Sequence, residues 1–514
     1  MKIKQLKLLI PAILVITGWM QLNAQSTAIY NDPDVSFKKA KDWYQQEKFS
    51  LAYPVFKHLY SNNTDYSNIP DQLLSESHYY YILCGLKLQD SSAEFLANQF
   101  INLDTHRPLV QQMSFHLGQY YFQRKDYGNA QNIYTQTSID NLSNNEIASM
   151  KFQEAYAFFI MKQFDKAKPL FNVVRQLPKD PNYIEANYYF GFISFFEKNY
   201  KEALAAFKIA EKNPDYEMVI PFYLSEIYYF NGQKDLALEI GLKALQNGKQ
   251  FYDLQMRQLV GHILFEQRNF EKAQPYLEKY VSGTDKVRRE DLYELSYCYY
   301  EALNWKPAIE GLKQLGGGED SLAQNSMYLL ANAYLKINDK INARNAFQFC
   351  AANTSNAFQK EVAGFNYAKL SYELNYYDIA SKGLQSFISN YPRSIYIPEA
   401  KEILINTLAN SSNYEEALIM FNKLSVKSAE IQKIYPGILY GRAVEMINDH
   451  QFVSADSLLS ILMVAPNNSQ QIALSSFWRG EIAYRTGKIE DAIIYFVNYL
   501  KSPKISGQAN AVNA

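Results

Sequence analysis

Phe164-Asp165-Lys166-Ala167-Lys168-Pro169-Leu170-Phe171 and, 36 residues later, Tyr200-Lys201-Glu202-Ala203-Leu204-Ala205-Ala206-Phe207 state one phrase twice: an aromatic residue, an alanine three positions on, and a bulky ring four beyond that. Further copies are Phe49/Ala52/Phe56, Tyr127/Ala130/Tyr134 and Tyr414/Ala417/Phe421, with looser ones centred on Ala237, Ala273, Ala308, Ala343, Ala380, Ala455 and Ala492. A degenerate copy on Ala93 fills the one wide gap, and consecutive alanines then stand 34 to 41 residues apart. Self-similarity at this period over nearly the whole chain marks a stacked solenoid, in which each unit buries its apolar face against its neighbours.

Twelve residues before most of these alanines stands a small residue, as in Ala40, Gly118, Ala155, Gly191, Ser225 and Gly261, and nine before many of them stands an aromatic such as Trp43, Tyr121, Phe158 or Tyr228. Apolar offsets of three and four are helical, so each unit reads as two helices of roughly 13 residues, each about 20 Å long. Short polar turns such as Gln123-Arg124-Lys125-Asp126 lie between the two. Small residues on both helices let the backbones approach, and rings fill the space beside them. Pro178, Pro181, Pro214, Pro392 and Pro466 fall after the second helix, where a helix must end. The fold class expected is all-α.

This combination resembles the tetratricopeptide repeat, whose pattern is a Leu-Gly pair, an aromatic three residues on, then an alanine, an aromatic, an alanine and a proline. It is matched best by Leu117-Gly118…Tyr121…Ala130…Tyr134, by Phe190-Gly191…Ala203…Phe207…Ala210…Pro214 and by Leu330-Ala331…Tyr334…Ala343…Phe347. The resemblance covers roughly residues 34 to 500 and implies a right-handed superhelical solenoid of about 12–13 stacked helix-turn-helix units. In that family the first helices line a concave groove. The residues 15 and 8 before each repeat alanine then point inward: Phe115, Phe152, Tyr188, Phe222, Tyr293 and Phe365 in one row, Phe122, Phe159, Phe195, Tyr229, Tyr300 and Tyr372 in the other. The resemblance implies a groove that grips a peptide or helix of a protein partner through ring contacts. No lysine stands in the first row and no lysine or arginine in the second, so a basic clamp for a partner's carboxylates is not expected.

The first 24 residues differ in kind. Lys2, Lys4 and Lys7 precede the apolar run Leu8 to Met20, and Gln21-Leu22-Asn23-Ala24 offers a small residue at a cleavage point, the order of a secretory signal peptide. The region is also similar to that of exported proteins of Bacteroidetes, and the whole chain resembles the large exported tetratricopeptide proteins of those bacteria. An exported protein, periplasmic or associated with the outer membrane of a Gram-negative bacterium, is expected. Loss of residues 1–24 takes the formal charge from -1 to -4, with no long block of one sign and no basic stripe of the kind nucleic acid requires. Cys84, Cys298 and Cys350 are too few for a disulfide framework and read as buried apolar residues.

Chemistry finds no foothold in the sequence. The six histidines are scattered with no His-x-x-x-His pair, and there is no Cys-x-x-Cys, so no metal is expected. Gly316-Gly317-Gly318-Glu319-Asp320 lacks the Gly-Lys-Ser/Thr ending of a phosphate loop and reads as a loop between units. No nucleophile elbow or triad stands out, and no cofactor or catalytic residue is expected.

The domain reading is a signal peptide over 1–24, an N-terminal region over 25–106 with one clear and one degenerate unit, a central array over 107–390, a C-terminal array over 391–502, and the start of a further helix or a truncated end over 503–514. Between residues 385 and 412 the ring rows break at Glu402 and Ala409, which predicts a second binding region or a flexible joint. Solenoids usually finish on a polar cap, and Ile505 to Ala514 is too short to be one, so the chain reads as the N-terminal part of a longer protein. The functional expectation is a non-catalytic scaffold for protein partners in the cell envelope. The competing expectations are glycan capture by exposed rings and a function housed beyond residue 514.

Overall fold

The computed structural model describes residues 32–61, 69–248, 250–466, 469–501, 503–504, 506 and 509–514. The expected signal peptide lies outside the described residues. The chain divides between Gly232 and Gln233 into two compact units.

The first unit holds α1 (Pro33–Gln45), α2 (Phe49–Ser61), α3 (Asp71–Leu88), α4 (Ala93–Leu103), α5 (Arg107–Gln123), α6 (Tyr127–Gln136), α7 (Asn144–Ile160), α8 (Phe164–Val174), α9 (Tyr183–Phe196), α10 (Tyr200–Ala210) and α11 (Ile220–Phe230). The second begins with α12 (Lys234–Asn247), α13 (Asp253–Glu266), α14 (Phe270–Gly283), α15 (Arg289–Glu301), α16 (Trp305–Lys313), α17 (Ser321–Lys336), α18 (Lys340–Ala352) and α19 (Ala357–Glu373). It continues with α20 (Tyr377–Asn390), α21 (Ile397–Asn410), α22 (Tyr414–Lys423), α23 (Ala429–Asn448), α24 (Phe452–Val464), α25 (Ser469–Arg485) and α26 (Ile489–Leu500). Within each unit, successive helices pack as antiparallel hairpins stacked in chain order, and no strand occurs among the described residues.

The alanine ladder maps onto this with one exception. Every second helix from α2 to α26 other than α4 begins three residues before its alanine, and each of these alanines is buried. In the degenerate unit, α4 starts on Ala93 itself; Ala93, Ala97 and Phe100 are all buried there, so the core is kept while the register is not.

The turn inside each hairpin is set by the backbone. Five residues before the alanine the chain enters the left-handed region, at Lys125 (φ 61), Lys162 (φ 60), Lys198 (φ 61), Arg268 (φ 58), Asn338 (φ 60) and Ser412 (φ 60), and only Gly232 and Gly487 supply the residue best suited to it. Side-chain caps then start several of the following helices: Asp126 accepts from the Asn129 amide, Asp339 from that of Asn342 and Asn199 from that of Glu202.

Close approach of the helices explains the small residue twelve before the alanine. A Cβ on Gly118 would lie 2.2 Å from the Tyr134 ring, and one on Gly261 would lie 2.8 Å from Leu277. Between hairpins, Gln324 is fully buried in α17. Its amide nitrogen donates to the carbonyls of Cys350, Asn353 and Asn356 at 3.2, 3.1 and 3.0 Å, and its carbonyl oxygen accepts from the Asn356 amide at 2.6 Å, fastening the turn after α18.

The stretch 385–412, where a second binding region or a joint is expected, covers the end of α20, α21 and the turn into α22. α20, α21 and α22 share one core in which Ala400, Leu404, Ile405 and Leu408 join Phe387 and Phe421; aliphatic side chains do there what rings do elsewhere. The glycine run at 316–318 is the loop between α16 and α17, with Gly317 at φ 96. Past α26 no described residue is helical, so the described part of 503–514 does not begin a further helix. Ser506 and Ala509 form a bridge, and residues 511–513 a turn.

Candidate functional site

Rings are the commonest chemistry on the first helices, and the structure places each expected groove residue. Phe115, Phe152 and Phe365 are buried, at 2%, 7% and 2% exposure. Phe152 meets Phe171 of its own hairpin edge-on at 5.8 Å, and Phe365 stacks on Tyr396 of the next at 4.7 Å. Tyr188 stacks on Tyr216 at 4.2 Å, Phe222 packs on Tyr223 at 5.6 Å and Tyr293 on Tyr297 at 6.0 Å.

The second row has a common partner. In seven hairpins the ring eight before the alanine touches the aromatic three before it, across the turn: Tyr44–Phe49 5.4 Å, Phe122–Tyr127 5.6 Å, Phe159–Phe164 5.4 Å, Phe195–Tyr200 6.0 Å, Phe265–Phe270 5.4 Å, Tyr300–Trp305 5.4 Å and Tyr372–Tyr377 6.0 Å. Tyr229 instead packs on its neighbour Phe230 at 5.6 Å. These rings are half-buried, with one edge closing the hairpin and the other open.

The second unit keeps rings of this row at Phe265, Tyr300 and Tyr372 and adds polar contacts between its helices. His262 on α13 places Nδ1 2.6 Å from Glu294 Oε1 on α15, with Glu266 3.8 Å from its Nε2; the Glu294 contact, followed by the field of Glu266 and Asp291, raises the imidazole pKa against the opposing effect of burial. Asp291, 1% exposed, accepts both forks of Arg288 at 2.7 Å and Gln258 Nε2 at 2.9 Å. Lys369 on α19 pairs with Glu399 on α21 at 2.6 Å. The His262–Glu294, Gln258–Asp291 and Lys369–Glu399 contacts join successive first helices, as the rings of Phe159 and Tyr189 do in the first unit and those of Phe265 and Tyr297 in the second.

One column escaped the sequence reading. Seven residues before the alanine, at the end of the first helix, the chain reads Gln45, Leu86, Gln123, Ile160, Phe196, Phe230, Glu266, Glu301, Lys336, Glu373, Asn410, Asn448 and Arg485. Leu86 is buried, whereas Ile160, Phe196 and Phe230 are exposed by 44%, 60% and 55%. Three successive first helices of the first unit, α7, α9 and α11, thus show water an apolar residue where the others, Leu86 aside, carry polar ones. The signal was legible as a column, and it was missed because the ring rows beside it were denser.

Among the described residues, no group of three or more His, Cys, Asp or Glu side chains is placed to hold a metal ion, and no helix is long and apolar enough to cross a membrane. Cys84, Cys298 and Cys350 are buried free thiols, pushed up to about 12 by burial, and so are protonated at neutral pH.

Residues 266–350, from the end of α13 to within α18, match the family model described as anaphase-promoting complex, cyclosome, subunit 3. No curated protein matches the chain. Among solved structures, it is similar to a tetratricopeptide repeat protein from Parabacteroides merdae ATCC 43184, with 13% identity over 51% of this chain and 99% of that one and a TM-score of 0.30. It is also similar to the apo form of RapI, with 13% identity over 62% and 97% of the two chains and a TM-score of 0.33. The alanine ladder, the left-handed turn and the stacked hairpins together are a helical-repeat fold of the tetratricopeptide type, and the matched stretch lies within it.

Proposed function

We propose that the protein is a non-catalytic, exported scaffold that binds protein partners in the bacterial cell envelope. The observation that carries the binding half of this reading is the exposed column Ile160, Phe196 and Phe230, flanked by the half-open rings of Phe159, Phe195 and Tyr229. Apolar side chains held on rigid helices and open to water are what a partner's apolar face needs, and soluble proteins seldom leave such groups clustered without use. The export half rests on the order of Lys2–Lys7, the apolar run to Met20 and Ala24.

The test compares tagged wild type with a Phe196→Ser/Phe230→Ser variant, both expressed with their own N-terminus, in fractionated cells. The reading expects both chains in the envelope fraction and a cross-linked partner recovered with wild type alone. Retention of the chain in the cytosol would sink the export half, and equal recovery of every partner by the variant would sink the binding half.

A further inference from the structure

α26 carries an unpartnered apolar stripe. Ile489, Ile493, Val497 and Leu500 follow one another at helical spacing and are exposed by 51%, 58%, 49% and 47%. In several other hairpins side chains at the same places meet the next one. One residue after the repeat alanine, Lys168 reaches Glu197, Arg344 reaches Ser371 on α19 and Asp456 reaches Arg479 on α25. Five after it, Gln385 bonds Glu416 on α22, and eight after it, Met463 Sδ lies 3.4 Å from Arg479. In α26 those three places hold Ile493, Val497 and Leu500. The described tail does not cover them: the Tyr499 hydroxyl donates to the Lys504 carbonyl, and Ala509 is buried in the cluster of Phe477, Trp478 and Tyr499.

We infer that a second copy of this chain docks there, α26 against α26 in antiparallel, with a two-fold axis beside residue 495. The stripe is self-complementary about that point. Ile489 falls opposite the partner's Leu500, and Ile493 opposite the partner's Val497. The charges obey the same axis. Glu490 and Lys501 lie about three turns apart, and so on one flank of the helix. In an antiparallel pair related by a two-fold axis, a flank meets the same flank of the other copy, which brings Glu490 against the partner's Lys501 twice. A parallel pair would set each of them against the opposite flank. One helix face of four aliphatic residues is small for an interface, so the dimer is a weak one, with a dissociation constant on the order of 10 µM. The contact is separate from the Phe196/Phe230 column, so either reading can fail without the other.

Sedimentation velocity of the full chain across a concentration series reads the inference directly. It expects a reversible doubling of mass, Val497→Glu lowering the association at least about tenfold, and circular dichroism melting unchanged because Val497 is half exposed in the single chain. Glu490→Lys alone weakens the dimer, and adding Lys501→Glu to the same chain restores it, because the reversed pair still meets across the axis. A monomer at every concentration overturns the proposal and means that the face is covered by a following segment of the chain or by another protein. Association indifferent to Val497→Glu, growth into longer assemblies, or a charge exchange that fails to restore the dimer overturns it as well.

Discussion

The Phe159 ring lies 4.9 Å from the Tyr189 ring of the next hairpin, and on its other side touches Phe164 of its own at 5.4 Å. A residue that the family geometry points toward a groove is therefore also the wedge that closes one hairpin and seats the next. Both roles are physical: an aromatic ring has two faces and an edge, and a half-buried one leaves part of itself to water.

Phe159→Ala is accordingly expected to cost stability, about 2 kcal/mol, below the range for deleting a fully buried ring. Phe196→Ala, at 60% exposure, is expected to stay within about 0.5 kcal/mol of wild type. Urea unfolding of both variants decides it. A Phe159→Ala variant as stable as wild type would mean that the ring contacts contribute little and that the row serves binding alone.

How much of this was readable beforehand follows from the same rings. The ladder of alanines has a period and a steric cause, so helix starts three residues before each alanine were legible from Tyr127/Ala130 or Phe164/Ala167. Ala93 misled by position because α4 keeps its buried Ala97 and Phe100 while its turn is longer, a shift that a pattern of spacings cannot register. Where the ring rows break at Glu402 and Ala409, the core continues through Leu404, Ile405 and Leu408: a missing ring is not a missing core. Exposure, as at Phe196 and Phe230, depends on which neighbour covers a side chain, and that is a property of stacked hairpins rather than of any one helix.

The left-handed turn offers a gain of stability. Lys162 and Lys198 adopt φ of 60 and 61, where a Cβ crowds the following carbonyl. Lys162→Gly and Lys198→Gly should each stabilise the chain by about 0.5–1 kcal/mol, the steric relief exceeding the added freedom of the unfolded glycine. Lys208→Gly, within α10, should instead lose about 1 kcal/mol. Shifts of the denaturation midpoint in these opposite senses support the assignment, and losses at all three sites refute it.

His262 makes the second unit sensitive to pH. Its imidazole pKa is raised by the Glu294 contact 2.6 Å away, so the folded state binds that proton more tightly than the unfolded state does. The contribution is complete below the unfolded value of about 6.5 and disappears as pH rises through the raised folded value. The stability gap between wild type and His262→Gln should therefore be widest near pH 6 and narrow toward pH 9. A gap that widens with pH would contradict the pairing.

Glu226 works in the same direction for a different reason. Burial in α11 pushes its carboxyl up to about 7, so folding favours the protonated acid and stability falls as pH rises from the ordinary carboxylate range to about 7. Glu226→Gln removes the titration while keeping the shape. The variant should match wild type near pH 4 and exceed it in thermal midpoint above pH 7, and equal midpoints at pH 8 would show that water reaches the carboxylate.

The last prediction separates binding from folding. The column at Ile160, Phe196 and Phe230 gives way to Glu266 and Glu301 in the second unit, so the apolar contact surface it offers ends within the first unit. Burying one exposed ring contributes about 1.5–3 kcal/mol, and removing two should weaken a partner's binding by about a hundredfold or more. Because the contact is apolar, affinity should hardly change between low and high salt, unlike contacts between exposed charges, which are screened within about 10 Å at 0.1 M. Titration calorimetry of a captured partner against wild type and Phe196→Ser/Phe230→Ser, at two salt concentrations, measures both. An affinity that collapses with salt would move the binding surface to the charged first helices of the second unit, where His262, Asp291 and Lys369 lie.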